Sequence, residues 1–470
     1  MTLYKHYADE LASLIADGSL QPGERLPSVR EASRRRGYSE MTVLRAYHRL
    51  EARGLIAARP RSGYFVQAQR QRLPLKPLLS APPAQATRID KGERIHALLG
   101  AIRQPHIVPL GSAFPSPHLL PLKALHAALS RSVRRLDPMQ TVVDLSPGNA
   151  ELRRLIALRY RGDGIAIDAD GLVITDGALE ALNLCLQAVT QPGDTVIIES
   201  PTFYASLQAL ERLRLKAVEV PTDPDTGIDL DALDAAIRRH RPAAVWLMSS
   251  FQNPLGATMP EARKQALVRL LAAQAIPLIE DDVYGELHYG PIRPKPAKAW
   301  DAEGLVLHCA SFSKCLAPGY RIGWAAAGRW SAAVERLKLG SSLSAAVPSQ
   351  RALADYLAGG RYGRHLRTLR ETLIAARDEM IDAIQQHFPP GTRVTRPDGG
   401  YFLWVELPPG IDTLALQQAA LAHDISLAPG ALFSAREDFS HCLRINYGHP
   451  DDPRVLPAIA TLGALIAGGG

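Results

Sequence analysis

The run Ser311-Phe312-Ser313-Lys314 closes an apolar stretch and is followed by Leu316, Pro318, Gly319, Arg321 and Gly323. A lysine held where a strand ends can be desolvated into a carbonyl-condensing amine, while adjacent hydroxyls and an arginine satisfy a phosphate. A phosphorylated aldehyde fits that set. Upstream, Thr175-Asp176-Gly177-Ala178 ends a second apolar run and opens a helical pattern, which aims free backbone amides at an anion. Phe251-Gln252-Asn253-Pro254-Leu255-Gly256 follows a third run with an amide side chain able to donate to a phenolic oxygen. Glu280-Asp281-Asp282-Val283-Tyr284 closes a fourth, where a carboxylate could hold a pyridine nitrogen protonated and a phenol could contact a ring hydroxyl. Singly, these are ordinary features: a surface lysine, a strand-helix junction, an Asn-Pro turn, a pair of solvated acids. Together they are strand ends, and parallel strands open on one edge, where such folds bind ligands.

The elements that must position them follow from periodicity. Short β-rich runs (Leu172 to Thr175, Thr195 to Glu199, Ala244 to Met248, Pro277 to Glu280, Leu305 to Cys309) alternate with helical stretches such as Leu179 to Val189. That alternation implies a mainly parallel sheet covered on both faces. Beyond about Val334 the pattern becomes a long helical region and then a small α+β segment with Tyr401 to Glu406 and Cys442 to Tyr447.

The first 72 residues read differently. Leu3, Tyr7, Leu11, Leu14 and Ile15 fall at helical spacing, Ser28 can cap a short second helix through Arg35, and Ser39 can cap a third. In the third, Val43, Ala46, Tyr47 and Leu50 face inward, which leaves Thr42, Arg45 and Arg49 outward. Two short runs flank Arg59-Pro60-Arg61-Ser62-Gly63, a turn suited to a hairpin. This is the pattern of a winged helix-turn-helix. Between about 73 and 92, Pro74, Pro77, Pro82 and Pro83 with little periodicity predict an extended linker.

Charge divides along the same boundary. The 470-residue chain has a formal net charge of +7, and residues 1 to 72 hold 13 Lys+Arg against 7 Asp+Glu. An anionic polymer suits the N-terminal piece and a small molecule the nearly neutral remainder. The four cysteines are scattered without a CxxC, so neither a metal site nor a disulfide framework is expected. No charged leader with an apolar core opens the chain and no run of about 18 apolar residues occurs, so a cytoplasmic protein without membrane spans is expected.

The order Asn253-Pro254-x-Gly256, Asp281-x-x-Tyr284, Ser311-x-Ser313-Lys314, Gly319-x-Arg321-x-Gly323 resembles the fold-type-I aminotransferases that use pyridoxal phosphate, over roughly residues 93 to 470. The resemblance implies that Lys314 carries the cofactor covalently, Asp281 pairs its pyridine nitrogen, and Asn253 and Tyr284 contact its ring oxygen. It also assigns the phosphate to Gly177, Ala178, Ser311, Ser313 and Arg321. Phe203, in Pro201-Thr202-Phe203-Tyr204, stands where the family stacks an aromatic ring on the cofactor, with Tyr204 as the fallback. Arg444, in Leu443-Arg444-Ile445-Asn446, resembles the arginine that clamps a substrate α-carboxylate.

The N-terminal segment resembles GntR-type DNA-binding domains through Pro22-Gly23-x-Arg25-Leu26-Pro27-Ser28-x-Arg30, Thr42-Val43-x-Arg45-Ala46-Tyr47 and the Gly63 wing. The candidate DNA contacts are Arg30, Ser39, Thr42, Arg45, Arg59, Arg61 and Gly63. Glu40 and Leu44 depart from the basic positions common at the start of such recognition helices. Near Asp144-Leu145-Ser146-Pro147-Gly148 the tyrosine that the aminotransferase family sends to its partner's phosphate is missing.

A GntR head, a linker and an aminotransferase-like body together resemble the MocR subfamily of bacterial regulators. The expected protein is a homodimeric DNA-binding regulator whose body holds pyridoxal phosphate and senses an amine, an amino acid or pyridoxal phosphate itself. The alternatives are a working aminotransferase with a DNA-binding appendage, and a body that serves mainly to dimerise the heads.

Overall fold

The computed structural model describes residues 3–16, 19–21, 23–52, 55–59, 62–66, 74–90, 92, 95 and 104–468. The chain forms two compact units, Met1–Leu73 and Pro74–Gly470.

In the first unit, α1 (Leu3–Ala16), α2 (Val29–Arg36) and α3 (Glu40–Ala52) precede a two-stranded wing, β1 (Ile56–Arg59) and β2 (Gly63–Val66). Each start has a local cause. The Ser28 hydroxyl accepts from the Glu31 amide at 3.2 Å to cap α2, and Gly37 ends it at φ 69°. Ser39 does the same for α3, accepting from the Thr42 amide at 3.1 Å. Tyr7, Leu11, Leu26, Val43, Tyr47, Leu50, Ile56 and Val66 then close one core. The wing is antiparallel, with Arg59 opposite Gly63.

The second unit is built on a sheet formed by β3 (Thr87–Arg88), β4 (Leu172–Thr175), β5 (Thr195–Ser200), β6 (Lys216–Asp223), β7 (Gly227–Ile228), β8 (Ala244–Leu247), β9 (Leu278–Asp281), β10 (Val306–Ser311) and β11 (Gly323–Ala326). Its order is β3-β6-β5-β8-β9-β10-β11-β4, with β7 paired to β6. The neighbours from β6 to β10 run parallel; β11 is antiparallel to both β10 and β4. Consequently β4 shares the direction of the parallel set, and Thr175, Ser311 and Gly323 meet at one edge. Alternation within a strand covers both faces: Val196 and Ile198 pack with the helices Ala178–Val189 and Tyr204–Arg212, while Ile197 packs with Leu230–His240 and Glu261–Ala272. A smaller antiparallel sheet, β12 (Arg393–Val394), β13 (Phe402–Glu406), β14 (Ala428–Pro429) and β15 (Cys442–Asn446), has the order β12-β13-β15-β14. The helices Tyr362–His387 and Val455–Ala467 contribute to the core beside it.

The expected linker differs from what is observed over 74–90. That stretch is extended, as its prolines require, but it is strapped to the body. The Leu75 carbonyl accepts from the Val394 amide at 2.8 Å, Glu406 accepts from the Leu78 amide at 2.8 Å, and the Ser80 hydroxyl donates to the Ser200 carbonyl at 2.6 Å. Lys76 pairs with Asp225, and β3 adds antiparallel to the edge strand β6. Proline removes amide donors but not carbonyl acceptors or side chains, so a proline-rich strand can still dock. The expected boundaries at 72/73 and 92/93 fall among or beside residues outside the described ones.

Two glycines fix the sheet edge where the motifs meet. A β-carbon on Gly323 would lie 2.5 Å from the Gly177 carbonyl carbon and 2.6 Å from the Ala178 nitrogen. Both obstacles are backbone. Gly323→Ala is therefore expected to cost about 3 kcal/mol through overpacking, read as a lower urea midpoint; an unchanged midpoint would show that the edge can relax.

Candidate active site and nucleic-acid interface

The strand ends surround a cavity of about 480 Å³. Lys314, Asp281, Tyr284, Asn253, Ala178, Phe203, Ser311, Ser313 and Arg321 all line it, so nine positions from five segments of the sequence meet around one space. Gly177 stands directly behind Arg321: a β-carbon there would lie 2.4 Å from the guanidinium Nη2. With φ 82°, Gly177 also starts the helix Ala178–Val189, whose first residues border the cavity. The first amides of a helix lack intrahelical acceptors, and the positive end of the helix dipole adds to them.

Lys314 is enclosed. Its Nζ donates to the Ala113 carbonyl at 2.8 Å and sits 4.0 Å from the Phe114 ring centroid. Burial lowers its pKa to about 7, reinforced by Arg444 and Arg321 and opposed by Asp281. A neutral amine is thus available near neutral pH, the form that attacks a carbonyl. Asp281 is also buried, and desolvation raises it to about 7 against the hydrogen bond it accepts from the Val283 amide at 3.3 Å. A cationic ring nitrogen beside it would favour its ionised form. Arg321 adopts φ 54°, donates to the Asp176 carbonyl at 2.9 Å and reaches the Ser313 hydroxyl at 3.4 Å.

Arg444 does not line the cavity. It is fully buried one shell away and donates to Asn253 Oδ1 at 3.1 Å and to the Gly111 and Ser112 carbonyls at 2.9 and 3.2 Å. Its Nε has no partner, and the Phe402 ring lies 4.1 Å from its guanidinium carbon. Every hydrogen-bond acceptor it uses is neutral. A buried guanidinium in such company favours an incoming carboxylate.

The residues therefore fit pyridoxal phosphate by the chemistry of their donor set. A low-pKa amine, a buried carboxylate, a guanidinium with two serines, a helix N-terminus and an aromatic wall share one cavity. Tyr204, the fallback for ring stacking, also lines it, 4.7 Å from Phe203 between ring centroids. Sequence reasoning missed the wall formed by Ser112, Ala113 and Phe114, along with Leu179, Leu182, Gln208 and Met248. The first of these could be traced only indirectly. Asn446 donates to the Ser112 and Phe114 carbonyls and Tyr401 to that of Ala113, so the polar residues that hold this irregular segment lie over 280 positions downstream.

In the head, Arg30, Arg45 and Arg59 are exposed and Thr42 is half-buried. Its hydroxyl meets that of Ser39 at 2.8 Å, which turns it into the cap. Glu40 approaches the Arg30 guanidinium to 3.9 Å, both side chains well exposed. Arg59 stacks over Phe65 at 4.5 Å, and Gly63 turns the wing at φ 96°. Arg61 lies outside the described residues.

Residues 115–459 match the family model described as aminotransferase class I and II, and residues 3–66 match that of the bacterial regulatory proteins of the gntR family. The chain belongs to the class I and II aminotransferase family, fused to a GntR head. The fusion is MocR-like along its whole length. It is 48% identical over 466 residues, 99% of each chain, to the protein named "Uncharacterized HTH-type transcriptional regulator YdcR" of Escherichia coli (strain K12). The kynurenine aminotransferase of Pyrococcus horikoshii aligns with 80% of this chain and 94% of its own, at 30% identity and a TM-score of 0.73. LysN, an α-aminoadipate aminotransferase of Thermus thermophilus, aligns with 81% of this chain and 99% of its own, at 27% identity and a TM-score of 0.72. This is a GntR-family DNA-binding regulator with an aminotransferase-like domain, and pyridoxal phosphate is the cofactor that domain implies. Among the described residues no cluster of His, Cys, Asp or Glu could hold a metal, and no helix is long and apolar enough to cross a membrane.

A lysine titrating near 7 should capture the cofactor faster as pH rises through neutrality, since only the neutral amine attacks. Stopped-flow absorbance on the MocR-like chain freed of cofactor should give a midpoint near 7. A midpoint close to 10 would mean a hydrated lysine. Lys314→Ala should abolish the lysine-linked absorbance and the adduct trapped by borohydride.

Proposed function

We propose that the body is a sensor for an amine or amino acid, or for pyridoxal phosphate itself, that changes how a homodimer grips an operator in the cytoplasm. The observation that carries the reading is a single one: one chain joins a basic winged head to a cavity holding both Lys314 and Asp281. Bound pyridoxal phosphate supplies an aldehyde that condenses with amines and a ring that draws electrons from them. Lys314 offers the neutral amine. Arg321, Ser311, Ser313 and the amides after Gly177 bind the phosphate, Asp281 holds a proton at the ring nitrogen, and Asn253 and Tyr284 orient the ring oxygen. Phe203 covers the ring. Arg444, with its unpartnered Nε, receives a carboxylate.

In the head, Arg30 and Arg45 are exposed and able to meet phosphates and bases, the Ser39-Thr42 cap sets the start of α3, and Arg59 and Gly63, with Arg61 from the sequence, supply the wing contact. The dimer is supported by an apolar stretch exposed on the body: Met139, Val142, Val143 and Leu145, with Leu343 beside them through the hydrogen bond from the Ser146 amide to the Leu343 carbonyl. A second reading, transamination with turnover, is favoured by the presence of Lys314, Asp281 and Arg444 in one connected site.

Operator binding should weaken steeply with salt, because each neutralised phosphate releases counterion. Arg30→Ala should lower affinity on every sequence, while Arg45→Ala should also relax sequence preference. Equal effects on all sequences would make both arginines phosphate contacts only.

Linkage provides the deciding experiment. An effector that changes operator affinity must itself bind differently to the DNA-bound protein. Candidate amines and pyridoxal phosphate titrated with and without operator should differ in affinity for at least one ligand. Equal affinities throughout, with steady turnover of an amino acid and an oxoacid, would leave the enzyme reading in front.

A further inference from the structure

We infer that Lys338 is a positioning residue for the cofactor phosphate, acting through the Asp176-Gly177 loop rather than by touching the phosphate. The inference rests on the pyridoxal-phosphate reading of the cavity. Lys338 lies on the helix Ser331–Ser342, a segment with no part in any of the motifs. Its side chain is fully buried, and its ammonium donates to Asp176 Oδ2 at 2.9 Å, Glu180 Oε2 at 2.7 Å and the Ser342 hydroxyl at 2.8 Å. All three hydrogens of the ammonium have acceptors.

The two carboxylates are attached to the phosphate subsite itself. Glu180 Oε2 accepts from the Asp176 amide at 2.6 Å, its other oxygen accepts from Ser342, and the Asp176 carbonyl accepts from Arg321 at 2.9 Å. Asp176 precedes Gly177, the residue with φ 82° that packs on the Arg321 guanidinium. Thus the orientation of Arg321 and of the first helix amides depends on a loop whose acidic side chains are held from behind by one cation.

The charges decide why a lysine is needed. A dianionic phosphate placed in this subsite would meet two carboxylates near the helix end that should attract it, Asp176 just before the cap and Glu180 in the first turn. Like charges several Å apart in a partly buried site repel appreciably. Lys338 offsets one of the two acids and holds both turned toward itself. A lysine whose only task were to join two helices would leave phosphate recognition indifferent to its charge.

Pyridoxal and pyridoxal phosphate separate these roles, because they differ only in the group concerned. Lys338→Met keeps the length and removes the charge. Its dissociation constant for pyridoxal phosphate, read by lysine-linked absorbance, is expected to rise at least tenfold while that for pyridoxal changes less than twofold. Inorganic phosphate should also compete less well against pyridoxal phosphate in the variant. Equal losses for both ligands, or none, would overturn the inference and leave Lys338 as a packing residue. If Lys338→Met does not fold, Asp176→Asn with Glu180→Gln tests the same charges from the other side. Removing the acids with the lysine kept should tighten pyridoxal phosphate relative to pyridoxal, and an unchanged ratio would overturn the inference. Failure of the wild-type chain to bind pyridoxal phosphate at all would instead remove the reading on which the inference rests.

Discussion

Parallel strands end on one edge, and that constraint organises the body. β4, β9 and β10 deliver Thr175, Asp281 and Ser311 to the same rim, and the antiparallel β11 returns Gly323 between two of them. The return is tight. Gly323 packs against the Gly177 and Ala178 backbone, and Gly177 against the Arg321 guanidinium, so loop, helix start and arginine are fitted as one piece. A side chain at either glycine would push loop, helix start and arginine apart.

The motif strands were legible because their signal is strong in one dimension. Leu172–Thr175 is a four-residue apolar run buried throughout, and it folds with the ends read from sequence. β6 escaped because Lys216–Asp223 mixes charged, proline and threonine residues, as strands near a sheet edge do. Of the site, the side chains that do chemistry were readable, since amine, carboxylate and guanidinium announce themselves by type. The Ser112 to Phe114 wall contributes backbone carbonyls as well as side chains, and a carbonyl belongs to every residue. Lys338 was equally silent: in Arg336-Leu337-Lys338-Leu339 nothing marks which basic residue is buried.

Thr42 and the strap over 74–90 share a different cause. Helical periodicity places Thr42 outward, but a hydroxyl one turn into a helix can bond its own cap, and Ser39 offers the partner. Proline content marks 74–90 as extended without saying whether anything lies beside it. The docking partners Val394, Glu406 and Ser200 come from three remote segments. Long-range complementarity of this kind has no local periodicity to betray it.

Electrostatic imbalance ties the site together. Lys314 and Arg321 line a cavity whose lining carboxylate is Asp281, and Arg444 lies buried behind Asn253. Burying cations without matching anions is costly, and the cost appears as the depressed Lys314 pKa, which lets the amine shed its charge. Arginine has no such exit, since it stays protonated. Arg444 spreads its charge instead over neutral carbonyls, Asn253 and the face of Phe402, with Nε left over. Arg321, exposed to solvent, bears no such cost and keeps one hydrogen bond to a carbonyl and a long one to a serine. A phosphate near Arg321 and a carboxylate near Arg444 would each supply an anion where one is missing. The same imbalance that lowers Lys314 toward reactivity thus leaves Arg444, behind the cavity, bonded to neutral acceptors.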